Sequence, residues 1–303
     1  MVQTLIKQLR KVNLRKTNLS QPSSSSGLHI VASIPILPEA DDLRLKRSLE
    51  FLKVQLEPWE EVKECWEYTS SFRLSQLRDR GNKDLKVADY INKYPVLRQP
   101  GGYILLEYDF QVLFKGAENR MLTHWSQFSA KVERELINIG VREESLDCEA
   151  ALLFNYLKLL SVVPVKVPKR KPWRASKAEI QEGFLVHLKV IGDLEKQLEG
   201  MKKTVQTKGT ELQLFPVIVG EDLKNITSSY VVLDDRPIRV ESPVRAIEVA
   251  FKAYHALHCN YPVQSERLWV VIEKALYRIE HQWKSSVETA PEVKRLIALL
   301  KCD

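Results

Sequence analysis

The sequence is poor in the residues that build tight loops, redox centres and phosphate cradles. Glycine occurs 11 times in 303 residues, and neither G-x-x-x-x-G-K-[ST] nor G-x-G-x-x-G is present, so no phosphate-binding loop is signalled. A G-x-S-x-G nucleophile elbow is also lacking. The four cysteines, Cys65, Cys148, Cys259 and Cys302, are scattered without a C-x-x-C pair. That spacing fits reduced thiols in an intracellular protein. The longest apolar stretch, 150–165, is interrupted by Asn155, Lys158 and Pro164, and it is too short to cross a bilayer. Residues 1–38 contain no acid and no uninterrupted apolar run of the kind a secretory signal needs.

What is there reads as a folded chain with a positive bias. Hydrophobic residues make up 44% and charged residues 28%, with a formal net charge of +7. The composition is globular, and the charge makes nucleic acid a reasonable partner. The acid-free start carries Lys7, Arg10, Lys11, Arg15 and Lys16 beside Leu5, Leu9 and Val12, then enters the low-complexity link "SQPSSSSG". Three readings fit this segment: a mitochondrial transit peptide, a basic arm on nucleic-acid phosphates, and a solvated tail. The compartment expected is nuclear or cytoplasmic, with mitochondrial import as the reading of the transit-like start.

Periodicity divides the remainder. Helices are expected from residue 41, capped by Asp41 or Asp42, then over 60–77, 84–93, 104–114 and 120–139. Another begins at Ser145 or Asp147 and is apolar on most faces. "PVKVPKRKPWR" follows, with three prolines, five basic residues and no acid, a composition that neither forms a helix nor buries itself. Beyond it, Ser176 and Glu179 form a capping box for a helix carrying Ile180, Phe184, Val186, Leu188 and Ile191. Only then does the period change to two, at 212–220, 229–234 and 237–241, with a hairpin turn at 234–236. Ser242-Pro243 opens a helix that reaches Cys259, and helices over 264–283 and 291–300 close the chain. The expected organisation is a basic tail (1–40), a helical domain (41–162), a basic proline-rich linker (163–175) and an α+β domain (176–303). The fold class is α+β, with a small antiparallel sheet packed by helices in the C-terminal part.

Three stretches invite chemistry. "AYHALHCNYP" sets His255, His258 and Cys259 close together, but a zinc site needs three or four convergent ligands. Cys259 points about a quarter-turn from His258, so the histidines are read as packing residues and no metal is expected. Asp234 and Asp235 end a strand, and with Glu241 or Glu248 they are the carboxylates a Mg²⁺-dependent nuclease or transposase would use. Asp-rich turns are also ordinary hairpin chemistry. The run "PKRKPWR" offers Lys169, Arg170 and Lys171 to an acidic import-receptor groove. Trp173 and Arg174 suit stacking on a base and pairing with a phosphate.

The segments "VADYINKYPVLRQPGGYILLEYDFQVLF", "WRASKAEIQEGFLVHLK", "LQLFPVIVG", "SSYVVLDD" and "VESPVRAIEVAFKAYHALHCNYPVQSERLWVVIEKALYRIE" occur in that order. Together, over about residues 84–283, they resemble a broad set of uncharacterised animal proteins common in insect and fish genomes. Some of that set are labelled as similar to sterile alpha motif domain-containing proteins. The multiplicity of such proteins implies a mobile-element origin. No sterile alpha motif or zinc finger precedes residue 84, so the chain is expected to be a short form or the C-terminal part of a longer ancestor. The resemblance carries no activity or site. From the residues themselves, the expectation is a non-enzymatic interaction module, nuclear, binding protein or nucleic acid through its basic segments and a helical surface. It needs no cofactor and has no membrane partner. The alternatives are a metal-dependent nucleic-acid enzyme or its remnant, built on Asp234, Asp235 and Glu248, and a self-assembling structural protein of an element.

Overall fold

The computed structural model describes residues 30–34, 42–79, 87–165, 171–210, 212, 214–280 and 287–302. Lys7, Arg10, Lys11, Arg15 and Lys16 of the tail, and Lys169 and Arg170 of the linker, lie outside the described residues.

Asp42 starts α1 (Leu43–Val54), its carboxylate accepting from the backbone N–H of Arg44 at 2.8 Å and of Leu45 at 3.1 Å. It supplies acceptors to N–H groups that have no intrahelical partner. Helix α2 (Trp59–Leu77) buries Val62, Trp66 and Leu74. After α3 (Val87–Lys93) the chain doubles back tightly. A Cβ on Gly102 would stand 2.3 Å from the Leu97 carbonyl oxygen, so only glycine fits where α4 (Gly102–Leu113) begins. Helix α5 (Arg120–Asn138) packs through Met121, Phe128, Val132 and Leu136, one face of a 3.6-residue period. In α6 (Glu149–Asn155) residues 150–153 are all buried, as an apolar helix inside a helical layer should be.

The short strands β1 (Pro164–Val165) and β2 (Trp173–Arg174) pair antiparallel at the two ends of the linker. The capping box forms as expected: Glu179 N–H donates to Ser176 Oγ at 3.1 Å, and Ser176 N–H donates to Glu179 Oε2 at 2.7 Å. The helix it opens, α7 (Lys177–Phe184), is shorter than its apolar pattern suggests. Val186–Leu188 is instead strand β3. It is followed by α8 (Leu194–Lys208), which ends at left-handed Gly209 with φ 67°. Strands β4 (Leu214–Gly220), β5 (Ile226–Leu233) and β6 (Arg236–Val240) complete a sheet of order β3-β4-β5-β6. Because β3 runs parallel to β4 while the other pairs are antiparallel, the sheet is mixed and not wholly antiparallel. The fold is α+β.

The sheet is covered on both faces. Phe215, Val217, Val219 and Val232 pack with Leu194, Leu198 and Met201 of α8. Leu214, Ile218, Val231 and Leu233 belong to the larger core, against α9 (Pro243–Ala256). Every residue of β4 is buried, which is why its sequence is a continuous apolar run. The helix expected over 264–283 is broken. It consists of α10 (Glu266–Val271) and a π-helical turn, Ile272–Tyr277, after which Arg278 takes a left-handed φ of 54°. Ile279 then bridges in parallel to Ile30, and α11 (Pro291–Leu300) follows. The larger core runs across the boundary expected at 163–175. Phe110 of α4 and Phe114 just after it meet Phe251 and His255 of α9, with ring centroids 6.0 Å and 5.2 Å apart for the pairs Phe110–Phe251 and Phe114–His255.

Candidate functional site

The described end of the basic linker is Lys171, Trp173 and Arg174. Lys171 and Arg174 are exposed, and neither enters an ion pair among the described residues. Val165 pairs with Trp173, and Trp173 lines a cleft of about 330 Å³ between α7, α8 and the 260–264 segment. Met201, Val205 and Tyr254 line its apolar part, and Gln264, Asn260, Glu179 and Glu182 its polar part. Lys208, in the last turn of α8, lies 5.1 Å from the Trp173 ring centroid, within range of a cation–π contact. The Trp173 indole nitrogen is buried without a hydrogen-bond partner. An aromatic ring with Lys208 against it, and with Lys171 and Arg174 beside it in the sequence, is a surface on which a base stacks and a phosphate is neutralised.

The three carboxylates of the catalytic alternative are held elsewhere. Asp234 and Asp235 form the hairpin turn, both left-handed with φ 48° and 65°, the backbone of a tight two-residue turn. Asp234 accepts from Arg98 at 2.6 Å, and Asp235 pairs with Lys202. Glu248, on α9, faces Arg245 and Lys252, each at 2.7 Å. Asp234 and Asp235 are thus paired with separate cations, and Glu248 shares Arg245 and Lys252 with Glu107. Among the described residues no group of three or more His, Cys, Asp or Glu is placed to hold a metal.

In "AYHALHCNYP" the two histidines part company. His255 is fully buried, with Nε2 2.7 Å from the Tyr261 hydroxyl, which donates to Glu273 Oε2 at 2.8 Å. Since that hydroxyl gives its proton to the carboxylate, its oxygen receives the His255 Nε2–H. His258 lies one turn on, at left-handed φ 54°, and Cys259 N–H closes the helix end on the Tyr254 carbonyl at 2.8 Å. His255 is therefore more than a packing residue: it links α9 to the π-helical turn through Tyr261. Beside it Lys274, also buried, lies 3.6 Å from Glu273 and donates to the Ile279 carbonyl at 3.2 Å.

Two further charged groups escaped sequence reasoning. Arg73 is buried in α2, and all five of its N–H donors are used. It forms a fork with Asp109 at 2.8 and 3.0 Å, and bonds Thr69 Oγ1, the Tyr90 hydroxyl and the Trp66 carbonyl. Its guanidinium lies 3.5 Å from the Trp66 ring centroid. Burial disfavours the charged form, but Asp109 and Tyr90 outweigh it and hold the arginine pKa above its usual range. The second group joins Glu107 of α4 to Arg245 at 2.5 Å and Lys252 at 2.9 Å on α9. Burial opposes the Glu107 carboxylate, yet these two cations lower its pKa below the ordinary 4.5. The one signal in the sequence was a charge set on an apolar helical stripe, as in "SSFRLSQL" and "LLEYDFQVL".

Among the described residues no helix is long and apolar enough to cross a membrane. Comparison with models of protein families, with curated proteins and with solved structures finds no match for the chain.

Proposed function

We propose that the protein is a non-enzymatic interaction module of the nucleus that binds nucleic acid or an acidic protein surface through its basic segments. The observation that carries this reading is a contrast in charge pairing. Asp234, Asp235 and Glu248 are each tied to a basic side chain, whereas Lys171 and Arg174 flank Trp173 without carboxylate partners among the described residues. Paired carboxylates suit structure. Unpaired cations around an indole suit a polyanion. The family resemblance is compatible with this reading and adds no residue to it.

Size-exclusion chromatography at two salt concentrations, with and without a single-stranded oligonucleotide, tests it. Salt-sensitive co-elution is the expected result. Large assemblies of the protein alone would favour the self-assembling alternative, and absence of co-elution at low salt would remove nucleic acid as the partner. For location, neutralising Lys169, Arg170 and Lys171 together should move a tagged protein out of the nucleus, whereas deleting residues 1–26 should leave it there.

A further inference from the structure

Arg73, Arg98, Arg245 and Arg267 each face a carboxylate: Asp109, Asp234, Glu107 and Glu292 respectively. Arg120 and Arg278 break that pattern. Arg120, at the start of α5, donates through Nε to the Leu276 carbonyl at 2.8 Å and through Nη2 to that of Cys302 at 3.5 Å. The contact brings its guanidinium to the end of the π-helical turn, two residues before Arg278. His124 follows Arg120 by four residues on α5, the spacing that puts two side chains on one helical face. Arg278 itself occupies a left-handed position, and its Nε is buried with no hydrogen-bond partner. No ion pair with a carboxylate among the described residues involves Arg120, His124 or Arg278.

Three basic side chains from two elements thus lie near one another, with no acidic partner among the described residues. Burial and this proximity both act on their protonation. Burial, and then repulsion from Arg120 and Arg278, lowers the His124 pKa below its ordinary 6.5. Burial, with Arg278 next, also lowers that of Arg120. Neighbouring basic side chains beside a buried donor that lacks an acceptor have the features of a site waiting for an anion.

We propose that Arg120, His124 and Arg278 form a binding site for a phosphoryl oxyanion. Guanidinium forks match the paired oxygens of phosphate, and the orphan Nε of Arg278 gains its acceptor when one arrives. A protonated imidazole supplies a further charged donor. The chemistry is shared by inorganic phosphate and by the phosphodiester of a nucleic-acid strand. The site lies on α5 and on the turn after α10, not on β2, so it does not depend on the reading of Lys171, Trp173 and Arg174.

The test is the NMR titration of the His124 imidazole in the intact protein, assigned with His124→Gln. The measurement is repeated with added inorganic phosphate and with chloride at equal ionic strength. Phosphate, and not chloride, should raise the His124 pKa. Arg278→Gln should raise it in phosphate-free buffer, abolish the phosphate response, and weaken phosphate binding about tenfold or more, the value of one charged hydrogen bond. Arg278→Lys keeps the charge and should leave His124 depressed while losing most of the affinity. A short single-stranded oligonucleotide that reproduces the shift in competition with phosphate identifies the phosphodiester as a source. A response to phosphate alone identifies the free ion. If phosphate leaves His124 where chloride does, or if Arg278→Gln responds as the unaltered protein does, the site is not there.

Discussion

Arg73 and Asp109 show how strongly a single pair can be committed to one arrangement. Both are out of water, so removing one partner leaves the other charged and unsolvated. Asp109→Ala is expected to lose about 3–5 kcal/mol of stability, measured from the midpoint of urea unfolding. Replacing both partners by apolar residues, Arg73→Met with Asp109→Leu, should recover most of that loss, because it removes the stranded charge along with the pair. Tyr261→Phe is expected to cost about 1–3 kcal/mol, since His255 and Glu273 then lose the hydroxyl between them. None of these pairings was legible in the sequence. An arginine or glutamate on an apolar stripe marks an anomaly, but its partner lies 36 residues away for Arg73 and Asp109, and no local pattern names it.

At the scale of elements, Glu107 clasps α4 to α9 through Arg245 and Lys252. A carboxylate whose folded pKa is depressed contributes stability fully above its unfolded pKa and loses it as pH falls through the folded value. The contribution of Glu107 should therefore be complete above its ordinary 4.5 and fade in more acidic solution. Glu107→Gln should be less stable near neutral pH and should show a shallower decline on acidification, followed by thermal melting across that range. The helices were legible because their signals are local: Asp42, Ser176 and Ser242 each cap as their position predicts. Strand β3 was not. Its three residues continue the apolar spacing of α7, and only the parallel register Val186↔Val217 makes them a strand. The π-helical turn was missed for a similar reason, since one residue of extra helical width leaves no mark on composition.

Across the whole molecule, the basic proline-rich linker is a change of composition in the sequence, but the core passes over it. Phe251 and His255 lie against Phe110 and Phe114 from the other side, so a fragment of residues 173–303 uncovers one face of α9. Such a fragment is expected to lack the cooperative melting of the full chain, measured by calorimetry or circular dichroism. The candidate interface was partly legible: "PKRKPWR" pointed to Trp173 and Arg174, whereas Lys208 and the cleft joined them only through tertiary packing. The most direct test is the affinity of the full chain for a short single-stranded oligonucleotide, measured by fluorescence anisotropy as salt is raised. The unaltered protein should bind with a steep loss of affinity in salt. Lys171→Gln with Arg174→Gln should weaken binding and flatten the slope of log affinity against log salt by about 0.7 per lost phosphate contact. Trp173→Ala should cost about 1–3 kcal/mol of binding while leaving the slope unchanged. An affinity and slope identical in all three proteins would contradict the assignment of this segment as the interface.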